Sequence, residues 1–136
     1  VTRLELGVDV AAPVEVTWAA VTDWARQGEW MLATEVRVTA GDGRGVGTGL
    51  TAFTGVGPIG FTDTMRVTAW EPPRRCAVRH TGRLVRGTAE FLVEPRGAGS
   101  RFTWAEDIPK PLGLVLAPGV RWSLRRFAEF ARGYHR

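Results

Sequence analysis

"RLELGVDVAAPVEVTWAAV", residues 3–21, changes its period half-way along, and that change decides the fold class. Leu4, Leu6, Val8 and Val10 alternate with Arg3, Glu5 and Asp9, the period of a strand with one buried face. Pro13 then opens a helix, because a first-turn proline gives up no intrahelical hydrogen bond. Val14, Trp18 and Val21 follow at spacings of four and three, which puts them on one helical face. A second short helical segment, "WARQGEW" at 24–30, is interrupted by Gly28.

Beyond residue 34 the period returns to two. "EVRVTA", "TGLTAFTG", "GFTDTMRVTAW", "RRCAVRH", "LVRGTAEFLVEP" and "SRFTWAEDI" are six more strands, separated by the turn signals "GDGRGVG", "GVGP", "EPP", "TGR" and "RGAG". After "IPKPLG" the helical period comes back, with Val120, Leu124, Phe127 and Ala131 as the apolar stripe and Arg121, Arg125, Glu129 and Arg132 beside it. Pro118 marks the first turn of the regular helix or a kink inside a longer one. The expectation is an α+β domain spanning 1–136: seven antiparallel strands, two short helices between the first two strands, and one long C-terminal helix covering a sheet face.

Composition agrees with one globular domain. The chain has 136 residues, 44% hydrophobic and 24% charged, enough to bury roughly two-thirds of its unfolded surface. Cys76 is the only cysteine, so no intramolecular disulfide forms, and a reducing, cytoplasmic setting is expected. No apolar run approaches the roughly 20 residues of a membrane span, and no signal-peptide pattern opens the sequence. The net charge of +4 is almost wholly arginine, with Lys110 the only lysine. The arginines are spread over strands and helix, which reads as a solvated surface; a nucleic-acid site would need an aromatic-basic motif, and none is found.

Register can be carried around two of the hairpins. If Glu71 lies opposite Arg74 across "EPPR", then Met65 faces His80 and Val67 faces Val78, with Asp63 diagonal to His80. If the "RGAG" turn pairs Pro95 with Ser100, then Val93 faces Phe102, Phe91 faces Trp104, and Ala89 faces Glu106. Val85, Gly87, Ala89, Phe91 and Val93 form the inner column of the sixth strand. Asp63, His80 and Glu106 thus turn inward beside the small Gly87 and Ala89. An unpaired buried charge costs several kcal/mol. A cavity with apolar walls and a few polar anchors accommodates such a trio; a plain helix-packing face does not. Trp18 and Trp104 read as core or cavity wall, while Trp70 falls on the outer parity.

The opening blocks also resemble a known family. "VDVAAPVEVTWAAVTDWARQGEW" carries Val16, Trp18, Thr22, Asp23 and Trp30 in the order found at the start of the SRPBCC (START-related) superfamily, in its polyketide cyclase/dehydrase and lipid-transport branch. "GVGTG" at 45–49, "WEPPRR" at 70–75, "GAGSRFTWAED" at 97–107 and the final "PLGLVLAPGVRWSLRRF" match later blocks in order. The resemblance implies a helix-grip fold: a curved seven-stranded antiparallel sheet wrapped around the last helix, with an apolar cavity between.

Three functions follow as expectations. The first is binding of a small hydrophobic or amphipathic, lipid- or polyketide-like molecule. Phe53, Phe61, Met65, Phe91, Trp104, Leu124 and Phe127 would form the wall, Gly87 and Ala89 would leave the space, and Asp63, His80 and Glu106 would orient a hydroxyl or carbonyl. "GVGPIG", Gly55–Gly60, would be a flexible entrance. The second is a cyclase, dehydratase or hydrolase acting on a carbonyl, with His80 as general base or a protonated Asp63 or Glu106 as general acid. The third is a protein-partner role, chaperone- or toxin–antitoxin-like, through Arg121, Arg125, Arg126 and Arg132. No nucleophile elbow, metal-ligand spacing or phosphate loop is present, and "GDGRGVG" precedes a strand, not a helix. No cofactor or metal is called for, and the chain is expected to be a monomer or a homodimer, with Trp122 as a candidate dimer patch.

Overall fold

The computed structural model describes residues 2–83, 85–108 and 110–135. β1 (Thr2–Val10) leads into α1 (Val14–Val21) and a 3-10 helix (Trp24–Glu29). Then come β2 (Thr34–Ala40), β3 (Gly49–Val56), β4 (Ile59–Glu71), β5 (Arg75–His80), β6 (Gly87–Arg96), β7 (Gly99–Ile108) and α2 (Lys110–Arg132). The strands form one antiparallel sheet in the order β1-β7-β6-β5-β4-β3-β2, so that every hairpin is a neighbour pair and only β1 crosses to β7. This is the helix-grip arrangement: a curved sheet, a long last helix, two short helices after β1. Among the described residues no helix is long and apolar enough to cross a membrane.

Two details differ from the sequence reading. β6 begins at Gly87, so Val85 precedes it, and Leu84 lies outside the described residues. Pro118 sits inside the longer α2, the second of the two places expected for it. Glu71 pairs with Arg75, not Arg74, and an irregularity between Val67 and Ala69 adds one residue to β4. The two shifts cancel, so Met65 still faces His80 and Val67 still faces Val78. Past that β-bulge the parity of β4 inverts. Trp70 therefore lies opposite the inward Cys76 and meets Trp18 edge-on at 5.1 Å, not on the outer face.

The core gathers where α2 crosses the sheet. Leu124, Phe127 and Ala131 are buried, as the helical stripe requires. The Phe127 ring lies 4.6 Å from that of Phe102, tilted, and 4.8 Å edge-on from Trp30, whose ring also meets Phe91 and Trp104. Burying one such aromatic removes roughly 150–250 Å² from water, worth at most about 4–6 kcal/mol. α1 is tied to β7 by buried hydroxyls. Ser100 donates to the Ala12 carbonyl at 2.8 Å, so Thr17 is the donor in the 2.6 Å bond between Thr17 and Ser100. On the outer face, Glu90 accepts from both Arg3 and Arg75.

Candidate functional site

Away from that crossing the sheet and α2 separate, leaving a pocket of about 300 Å³. Its floor is the inner face of the central strands: Leu50, Ala52 and Thr54 from β3, Phe61, Asp63 and Met65 from β4, Cys76, Val78 and His80 from β5. Ala89 and Phe91 of β6 with Trp104 and Glu106 of β7 close one side, and Leu116, Gly119, Val120 and Ser123 of α2 form the roof. Met31, Leu32, Thr34 and Val36 complete the wall. A wider recess of about 530 Å³ opens at the other end of the sheet, among α1, the β2–β3 loop and Pro72. Its lining is of mixed polarity, and Trp24 borders both.

Eight of the expected site residues meet in the pocket: Phe61, Asp63, Met65, His80, Ala89, Phe91, Trp104 and Glu106. Four do not line it. Phe53 lies on the other face of β3, because Ala52 pairs with Asp63 and Leu50 with Met65, which gives the inner face to the even positions. Gly87 is exposed at the head of β6 with φ +97, outside the regular strand alternation. Leu124 and Phe127, about one and two turns beyond Val120, belong to the solid core, and α2 presents Val120 and Ser123 to the pocket instead. "GVGPIG" is also not a loose loop: β3 and β4 stay paired up to Val56 and Ile59, with Gly57 at φ +60 making the turn. Val56 and Ile59 are exposed at its tip, and Leu32, Phe61 and Leu116 are exposed where the pocket meets solvent.

The polar trio is the pocket's charged anchor. His80 Nδ1 lies 2.9 Å from Asp63 Oδ1, and Nε2 lies 3.5 Å from Glu106 Oε1. The side chains are 3%, 13% and 19% exposed for His80, Asp63 and Glu106. Each carboxylate sits opposite an alanine, Asp63 across from Ala52 and Glu106 across from Ala89, so small neighbours give both room. Burial alone would lower the pKa of His80. The hydrogen bond to Asp63 and the charges of Asp63 and Glu106 outweigh it and hold the imidazole up at about 9. At neutral pH His80 is therefore a proton donor, and the general-base role expected for it does not fit this setting.

Most other polar groups here are already spent. Thr34 Oγ1 donates to the Leu32 carbonyl at 2.8 Å and stands 3.0 Å from Thr54 Oγ1. Ser123 Oγ accepts from the Leu32 amide and donates to the Gly119 carbonyl, each at 2.9 Å. Gln27 donates to the Val21 carbonyl at 2.8 Å. By contrast His80 Nε2, at 3.5 Å from Glu106, is buried without a hydrogen-bond acceptor among the described residues. Cys76 also faces the pocket, but burial pushes its thiol up to about 12, which keeps it unreactive. Among the described residues no cluster of His, Cys, Asp or Glu is arranged to hold a metal ion.

The sequence pattern of the family described as "Polyketide cyclase / dehydrase and lipid transport" matches residues 1–132. Among curated proteins no sequence match is found. Solved structures share the fold at low identity. Protein Ms6760 from Mycobacterium smegmatis superposes with a TM-score of 0.76 at 18% identity, over 98% of this chain and 92% of that one. DR_A0006 from Deinococcus radiodurans gives 0.73 at 21%, over 97% and 98%. Ara h 8.0201 gives 0.72 at 10%, over 98% and 99%. At these identities the likeness concerns the fold alone.

Proposed function

This chain belongs to the polyketide cyclase/dehydrase and lipid-transport family of the SRPBCC superfamily, and from that premise we propose that it binds one small apolar or amphipathic molecule in the pocket beneath α2. The observation that carries the reading is the pocket itself: a space of about 300 Å³ walled by apolar side chains, with one buried side-chain nitrogen among its described lining residues, His80 Nε2, that has no hydrogen-bond partner. That volume lies at the low end of small-molecule sites. Apolar contact supplies most of the affinity, at roughly 25 cal/mol per Å² buried. Asp63, His80 and Glu106 fix the orientation, and the exposed rim of Leu32, Phe61 and Leu116 is the way in, beside the β3–β4 tip. The protein is taken to act in the cytoplasm, as a monomer or homodimer, without nucleic acid.

The test is binding of a neutral fluorescent probe, N-phenyl-1-naphthylamine. Ala89→Trp fills the pocket from its β6 side and is expected to abolish the enhancement, while Trp122→Ala on the exposed face of α2 leaves it intact. Retained probe binding in a folded Ala89→Trp protein contradicts the reading.

A second, enzymatic reading rests on the buried Nε2–H of His80, a donor placed to polarise a substrate carbonyl. It requires a pH–rate profile that disappears in folded His80→Ala. Turnover unaltered in single variants of all three anchor residues removes it.

A further inference from the structure

The charged lining of the pocket has a sign opposite to that of the protein. The chain carries 18 Lys and Arg against 14 Asp and Glu, yet no lysine or arginine is among the described residues that line the pocket. The titratable groups that do line it are Asp63, His80, Glu90, Glu106 and the Cys76 thiol. Glu90 is committed to Arg3 and Arg75 on the outer face of the sheet, which leaves the anchor trio to set the local charge. With its imidazole protonated the trio carries one net negative charge; with it neutral, two. Either way a bound anion meets repulsion, in a place where water screens it poorly.

Hydrogen-bond chemistry narrows the class further. Nε2 of His80 offers a proton that finds no acceptor, and Glu106 offers lone pairs 3.5 Å away. Nε2 has no surface open to the pocket as it stands, so an oxygen that both accepts and donates takes a place about 2.8 Å from each, and joins them, as the Glu106 side chain swings aside. A hydroxyl does this. A bare carbonyl accepts from Nε2 but turns a lone pair toward Glu106, and a carboxylate adds a full charge to that mismatch.

We propose that this pocket selects neutral, hydroxyl-bearing apolar molecules (alcohols or phenols) and rejects the corresponding carboxylates, the hydroxyl bridging His80 and Glu106. The proposal rests on the ligand-binding reading above and names the chemical class of that ligand.

Three probes with one naphthalene body test it by calorimetry on the unaltered protein at pH 7: 1-naphthaleneethanol, 1-naphthaleneacetate and 1-ethylnaphthalene. The alcohol is expected to bind about ten- to a hundredfold more tightly than the acetate, as loss of a hydrogen bond to a charged group implies, and more tightly than the ethyl compound. In Glu106→Gln, which keeps the shape and removes one negative charge, the acetate should recover to within a few-fold of the alcohol. Acetate binding as tight as the alcohol overturns the charge selection, and ethylnaphthalene binding as tight overturns the hydroxyl bridge. Each of those results leaves the pocket as a binding site. If none of the three binds, the ligand-binding reading itself fails and this inference falls with it.

Discussion

His80 Nδ1 hydrogen-bonds Asp63 Oδ1 at 2.9 Å across two adjacent strands, from residues that are diagonal, not opposite, in register. The pairing of Met65 with His80 sets Asp63 two positions back on the same inner column, so the bond follows directly from the sheet's geometry.

The raised pKa of His80 makes part of the stability dependent on pH. The folded value, about 9, lies above the ordinary 6.5. The contribution is therefore complete below pH 6.5 and is lost as the pH rises through 9. Its size is on the order of 3 kcal/mol. Urea unfolding at pH 6 and pH 9.5 should show a fall of that order in the unaltered protein, and Asp63→Asn should flatten much of it. Equal pH slopes in the two proteins would contradict the coupling.

Ser123 fastens the mouth of the pocket to α2 through the Leu32 amide. Ser123→Ala leaves that amide without its acceptor, at a cost of about 1–3 kcal/mol. Hydrogen exchange at Leu32 should speed up selectively, with exchange in β6 and β7 following only the global loss. Unchanged protection at Leu32 would mean that another group holds the loop.

Trp30 is fully buried, and its Nε1 has no acceptor among the described residues. Trp30→Phe loses volume but also removes an unsatisfied donor, so its cost should stay under about 2 kcal/mol. Trp30→Ala opens a large cavity and should cost about 3–5 kcal/mol. Denaturant unfolding of the two variants separates the contributions; equal losses would show that the indole N–H is bonded.

Much of this architecture is legible in the chain, because strands with one buried face and helices with one apolar stripe announce themselves by period. Asp63, His80 and Glu106 can be placed on one face because tight hairpins propagate parity. The failures have equally local causes. The bulge at Thr68 inverts the parity of everything between it and the turn, which is why Trp70 faces Trp18. Phe53 attracts a wall assignment by its size. Yet the turn at Gly57–Pro58 pairs Val56 with Ile59 and so fixes Ala52 opposite Asp63, a signal present in the sequence that sends Phe53 to the other face. Leu124 and Phe127 show a deeper limit. The stripe tells which side of α2 faces the sheet, but where helix and sheet part company depends on the curvature of the whole sheet.

The central claim is tested most directly by the imidazole resonances of the two histidines, His80 and His135, as N-phenyl-1-naphthylamine is titrated in. His80 lines the pocket and His135 lies exposed beyond the end of α2, so each chain carries its own control. Binding in the pocket predicts that the His80 signals move and saturate with the probe while those of His135 stay in place. Saturable fluorescence enhancement with His80 unmoved would place the probe elsewhere and contradict the account.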